Sequence, residues 1–113
     1  MIELVTAIIK PHKLDDVKDA LLAVGVDGIT VSEVRGFGRQ RGKSESFRGS
    51  EYKIDFVPKV KIEVIIAAER TTAVVEAIAA AAKTGKIGDG KVWSYPLTNL
   101  TRVRTGEKGI EAI

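Results

Sequence analysis

Cysteine is absent from the 113 residues, and histidine occurs once. Thiolate nucleophiles, disulfide scaffolds, Cys/His zinc sites and multi-histidine metal centres are therefore excluded together. Aromatic residues make up only 5% of the chain. That is too few for the exposed aromatic platforms on which RNA-binding α+β sheets stack bases, so nucleic acid is not an expected partner. Long hydrophobic runs are also missing. The apolar opening from Met1 is cut off by Pro11, too early for a signal peptide or a membrane span, and the chain reads as cytoplasmic with no direct membrane insertion. What remains is ordinary in bulk, with 44% hydrophobic and 29% charged residues, the composition of a globular protein with a real core. One domain spanning 1–113 is expected, since chains divide only beyond roughly 250 residues.

The net charge of +3 is unevenly spread. Between Arg35 and Lys61 lie eight basic residues (Arg35, Arg39, Arg41, Lys43, Arg48, Lys53, Lys59, Lys61) against Glu45, Glu51 and Asp55, a local balance of +5 that leaves the remainder at −2. Much of this basic segment has no core-forming capacity. From Gly38 to Lys53 there is no aliphatic residue, only glycine, charged and small polar residues with Phe47 and Tyr52. Such a stretch reads as a solvated loop, and a long loop inside a compact domain tends to carry function.

Periodicity organises the rest. Met1 to Ile9 reads as a strand with β-branched Val5, Ile8 and Ile9, followed by a helix whose apolar stripe is Leu14, Val17, Leu21 and Val24. Asp15 and Asp16 favour its N-terminus, and Gly25 and Gly28 stop it. Ile29 to Val34 alternates as a half-buried strand. Beyond Pro58 another strand holds Val60, Ile62, Val64 and Ile66, then a helix capped by Thr71 or Thr72 runs through Ala82 toward Gly85. Lys91 to Trp93 makes a short last strand, with Trp93 read as core packing. Two β-α-β halves around a long loop predict an α+β fold, the ferredoxin-like split β-α-β sandwich (βαββαβ), with two helices on one face of a four-stranded antiparallel sheet. The centres of the first and third of these strands are apolar at consecutive positions. Helices cover only one face, so the other is expected to meet further copies in a closed homo-oligomer.

Two clusters carry candidate chemistry. Thr84-Gly85-Lys86-Ile87-Gly88-Asp89-Gly90-Lys91 combines glycines, whose backbone N–H groups can close on phosphate oxygens, with lysine charge. The same spacing suits a helix stop and turn. Arg102 and Arg104 lie two apart, so an extended backbone would direct both guanidiniums to one side as an anion clamp; surface arginines without a ligand fit the pattern too. Asp89 is the sole carboxylate of the glycine cluster, which furnishes an ATPase poorly and favours a non-enzymatic reading.

Arg48-Gly-Ser-Glu-Tyr52, the cluster Thr84 to Lys91, and Arg102-Val-Arg-Thr-Gly-Glu107 resemble the PII signal-transduction proteins of nitrogen metabolism. Lys10-Pro11, Lys13-Leu-Asp-Asp-Val17, Gly36-Phe-Gly-Arg-Gln40 and Asp55-Phe-Val-Pro-Lys-Val-Lys61 extend the resemblance over the whole chain. It implies a homotrimer with three inter-subunit clefts that bind ATP or ADP, with 2-oxoglutarate beside Mg-ATP. Gly38, Gly88, Asp89, Gly90 and Lys91 would surround the nucleotide, with Arg102 and Arg104 reaching the phosphates from the adjoining subunit. Gln40 would ligate Mg²⁺ by its side-chain oxygen, and Lys59 would pair with a carboxylate of 2-oxoglutarate in a pocket with Phe37, Gly38, Ile87 and Gly88. The polar stretch, about residues 37–55, corresponds to the family's T-loop, which docks onto an ammonium transporter, glutamine-synthetase regulators or nitrogen-response kinases. Recruitment to the membrane would go through that transporter. Tyr52 matches a nucleotidylylated tyrosine, and Ser50 a serine phosphorylated in some relatives. The glycine loop falls at about 82–91 and a C-terminal segment at about 102–113. Phe47 and Ser94 depart from the family's usual tyrosine and aliphatic residues, and His12 from a common aromatic.

Overall fold

The computed structural model describes the backbone of residues 1–38, 43–47, 50–54 and 56–113, and the side chains of 1–38 and 56–113. Along the chain run β1 (Ile2–Ile9), α1 (Leu14–Ala23), β2 (Thr30–Gly36), β3 (Lys43–Phe47), β4 (Ser50–Ile54), β5 (Val57–Ala67), α2 (Thr71–Ala82) and β6 (Lys91–Leu97). Single 3₁₀ turns, Pro11–Lys13 and Ala68–Arg70, lead into the two helices. The main sheet has the order β2-β5-β1-β6 with every neighbouring pair antiparallel, so each β-α-β unit skips over a strand of the other. This is the split β-α-β, ferredoxin-like arrangement.

Register determines which side chains meet the helices. β1 pairs with β5 as Val5↔Val64, Ala7↔Ile62 and Ile9↔Val60, and antiparallel partners share a face. These residues are buried against Val17 and Leu21 of α1 and Val74, Ile78 and Ala82 of α2. Helix α1 ends as its sequence dictates. Gly25 takes φ +85, its N–H bonds the Leu22 carbonyl at 3.0 Å, and the Val26 N–H bonds the Leu21 carbonyl at 2.9 Å. That six-to-one closure brings buried Val26 onto Leu21. The Arg70 guanidinium donates to the Val24 carbonyl, placing a cation on the negative end of α1 and joining it to the entrance of α2.

Four expectations are corrected. The last strand extends beyond Trp93 to Leu97 and contains Pro96 opposite Glu3. A proline is tolerated there because β6 is an edge strand with one hydrogen-bonding side unpaired within the sheet. The polar stretch is not structureless. β3 and β4 pair from Lys43↔Ile54 to Phe47↔Ser50, a ribbon held by main-chain bonds, which apolar periodicity does not report. Thr71 does not cap α2. It is the first helical residue, and its hydroxyl donates to Glu3 Oε1 at 2.9 Å. Trp93 is not core, being 42% exposed opposite Thr6 on the face away from the helices. Register puts Leu4, Ile8, Ile65 and Tyr95 on that same open face.

Truncation of Leu21, fully buried between the helices and the sheet, should cost about 2–5 kcal/mol as Leu21→Ala. The adjacent Leu22 is 50% exposed, and Leu22→Ala should change stability by less than about 0.5 kcal/mol in parallel denaturation curves.

Candidate functional site

The loop between α2 and β6 is organised around one carboxylate. Asp89 Oδ2 accepts the backbone N–H of Thr84 at 2.8 Å and of Gly85 at 2.9 Å. Its Oδ1 accepts the Thr84 hydroxyl and lies 3.2 Å from Lys10 Nζ. The Thr84 oxygen in turn accepts from Lys10 Nζ and from the Lys86 N–H, each at 3.2 Å. One hydroxyl donor and two lone pairs are thus all used. The Thr84 hydroxyl and N–H, with the Gly85 N–H and Lys10, hold the Asp89 carboxyl well below the usual carboxylate range against a smaller opposing effect of burial. Ionised in this way, Asp89 gathers both ends of the loop onto the end of β1.

Close approach of backbone does the rest. Gly90 has φ +96, and a Cβ built there would lie 1.7 Å from the Ile8 carbonyl oxygen. No side chain fits, so the residue before β6 must be glycine for that strand to pair with β1 in this register. Lys59, only 9% exposed, donates from Nζ to the Gly88 carbonyl at 2.5 Å. The start of β5 is thereby joined to the same loop. Beside it, Pro11, Val34, Pro58 and Lys59 line a groove of about 580 Å³.

Several expected site residues converge here. Gly88, Asp89, Gly90, Lys91 and Lys59 surround one end of β1, with Ile87 62% exposed on the loop. Phe37 is 57% exposed and meets Phe56 with ring centroids 6.1 Å apart. That aromatic contact brackets Gly38, where an added Cβ would meet nothing within 4 Å. Gln40 lies outside the described residues, and of Ser50 and Tyr52 only the backbone in β4 is described. Among the described residues no group of three or more His, Asp or Glu is placed to hold a metal ion. No helix among them is long and apolar enough to cross a membrane.

The arginine pair is arranged differently from an extended clamp. The Gly106 N–H bonds the Arg102 carbonyl and the Arg102 N–H bonds the Glu107 carbonyl, both at 2.8 Å, closing a turn over Arg102–Glu107. Gly106, at φ +75, permits that reversal. Arg102 Nη1 sits 2.6 Å from Glu107 Oε1, whereas Arg104 is exposed without an ion pair among the described residues.

Sequence reasoning missed Lys10 and Thr84 as the partners that lock Asp89. It also missed a polar row on the open face, where register aligns Trp93, Thr6, Glu63 and Thr30 across four strands beside Lys61 and Lys91. These residues are scattered along the chain, and only strand pairing assembles them.

The fold and loop define a ferredoxin-like α+β domain with a lysine-rich glycine loop at one end of its central strand. The chain belongs to the family of nitrogen regulatory protein P-II, whose model matches residues 2–107. It is 54% identical to the nitrogen regulatory protein P-II of Rhizobium etli over 98% of this chain and 99% of that protein. With the Rhizobium meliloti protein of the same name it shares 57% identity over 96% and 97% of the two chains. Among solved structures it resembles Arabidopsis thaliana PII bound to citrate, with TM-score 0.81 and 38% identity over 99% of this chain and 92% of that one.

Three variants test the loop. Because its pKa is lower folded than unfolded, Asp89 stabilises the fold fully above about pH 4 and progressively less as pH falls toward the folded-state value. The stability gap between wild type and Asp89→Asn in thermal melts should therefore be largest near neutrality and shrink below about pH 4. Gly90→Ala should cost more than about 2 kcal/mol. Gly85→Ala, where nothing lies within 4 Å of the new Cβ, should cost only the roughly 1–2 kcal/mol of a left-handed residue.

Proposed function

We propose that this chain is a non-enzymatic signal-transduction protein that senses ATP or ADP together with 2-oxoglutarate in clefts between the subunits of a homotrimer. The observation that carries this reading is the Lys59 ammonium on the Gly88 carbonyl, 2.5 Å away. A mostly buried cation at the rim of a glycine loop suits a carboxylate effector, which would take over the position of the carbonyl. The citrate of the Arabidopsis relative is a ligand of the same chemical class.

The remaining residues have complementary work. Backbone N–H groups of Gly88, Asp89 and Gly90 would face phosphate oxygens, with Lys91 adding charge and Arg102 and Arg104 contributed by the adjoining subunit. Gln40 would offer Mg²⁺ one side-chain oxygen, and the ion, when bound, supplies the charge that lets a triphosphate and a dicarboxylate lie side by side. Asp89 is ill suited to general-base catalysis, since its proton affinity is kept low by Thr84, Gly85 and Lys10. The open face with Leu4, Ile65, Trp93 and Tyr95 would be covered by the other subunits.

Output would pass through the β3–β4 ribbon and its flanks. The Phe37–Phe56 pair joins the two ends of that excursion, so a ligand contact at Gly38 or Gln40 would bias the ribbon among conformers. Targets would be an ammonium transporter and glutamine-synthetase regulators or nitrogen-response kinases in the cytoplasm, with Tyr52 or Ser50 as modification points.

Calorimetric titration of 2-oxoglutarate should show binding only with saturating Mg-ATP. Gln40→Ala should weaken it at least about tenfold while changing ADP affinity less than about twofold. Equal losses for both ligands would count against a shared metal bridge. The double variant Arg102→Ala, Arg104→Ala should weaken both nucleotides by at least about tenfold; unchanged affinity would remove the two arginines from the site.

A further inference from the structure

Arg102 is already occupied by oxygen. Its Nη1 donates to Glu107 Oε1 at 2.6 Å, and its Nη2 to the backbone oxygens of Glu111 at 3.1 Å and Ile113 at 2.8 Å. A side-chain carboxylate and two backbone oxygens around one guanidinium surround it with acceptors, as the oxygens of a phosphate group would. Nor does the pair depend on two long side chains finding each other in solvent. Glu107 is held beside Arg102 by the backbone bonds that close the turn and by the Thr101↔Lys108 bridge. The acceptor at 111 lies within the 3₁₀ turn Gly109–Ala112 and that at 113 just after it, and the turn's first N–H bonds the Leu100 carbonyl at 2.9 Å. Such a preorganised pair is not dissipated by side-chain entropy, the usual fate of exposed ion pairs.

We infer that the segment 107–113 is a built-in competitor for the anion that Arg102 takes up, with Glu107 imitating a phosphate oxygen. The inference rests on the nucleotide reading above and adds to it a cost of entry and an output. A di- or triphosphate reaches exposed Arg104 first and then displaces Glu107 and the two backbone oxygens from Arg102. Affinity is lowered by the fraction of molecules in which Arg102 is self-occupied. Nucleotide occupancy is at the same time transmitted to Glu107, Glu111 and Ile113, which lose their contacts with the guanidinium when Arg102 changes partner. The ligand class follows from the exchange: only a group with several closely spaced anionic oxygens replaces three acceptors at once.

The test is calorimetric titration of ADP into the assembled full-length protein, as wild type, Glu107→Gln and Glu107→Asp. Asp keeps the charge but is one carbon too short for the 2.6 Å contact. Both variants should bind ADP about two- to fivefold more tightly than wild type, the range of a partly exposed ion pair. Unchanged or weaker binding in both would overturn the inference while leaving the nucleotide reading intact. Tighter binding by Glu107→Gln alone would overturn it too, because Glu107 would then act through its field and not by occupying Arg102. A wild type that binds no ADP would overturn the nucleotide reading and this inference with it.

Discussion

The carbonyl of Ile8 sits where a side chain of residue 90 would have to be, and the rest of the site follows from that exclusion. With glycine at 90, the α2–β6 loop lies directly on the last residues of β1, and β6 leaves it already in register with its neighbour. Asp89, one residue earlier, then faces Thr84 and Lys10 and closes the loop upon itself. A carboxylate with four donors has no conformational latitude. Backbone N–H groups in such a frame keep their direction whether or not a ligand is present, the condition for binding an anion without a large ordering cost.

Under the proposed reading, charge is divided between structure and ligand at this end of the sheet. Lys10 is committed to Asp89, and Lys59 bridges to Gly88 across 29 positions of sequence. Lys61 and Lys91 flank Ile8 on the open face. Lys10 builds the loop, and under the proposed reading Lys59 exchanges its carbonyl partner for what enters it. The same division recurs in the C-terminal turn, where Arg102 is tied to Glu107 and Arg104 is exposed. Under the proposed reading, ligand recognition is an exchange of partners around cations that already have oxygen neighbours. An exchange of that kind couples binding to movement, because each partner released belongs to a different segment.

The sheet has two unlike faces, and that difference carries the link between fold and assembly. One is filled by Val5, Ala7, Ile62 and Val64 under the helices. The other carries Leu4, Ile65 and Tyr95 toward one end and Thr6, Glu63, Lys61 and Lys91 toward the other. Under the proposed reading this apolar end meets the other subunits. The polar end of the same face adjoins the glycine loop, so a subunit docked on the apolar end would also wall the proposed ligand site.

Much of the domain was legible along the chain. Helix stripes at Leu14, Val17 and Leu21, the stop at Gly25, the paired β-α-β order and the apolar strand centres all follow from local periodicity and glycine chemistry, which tertiary contacts do not override. The motifs from Gly36 to Lys61 and from Thr84 to Glu107 carried the family. Tertiary structure alone decided three things. It turned the polar stretch partly into a ribbon and extended the last strand through Pro96, since main-chain pairing and an edge position leave no mark in apolar spacing. It joined Asp89 to Lys10 across 79 positions and Lys59 to Gly88 across 29, contacts that exist because antiparallel β1, β5 and β6 bring their ends together. It also folded Arg102 back onto Glu107. A spacing of two residues specifies a common side only in extended backbone, and here hydrogen bonds and a left-handed glycine make a turn.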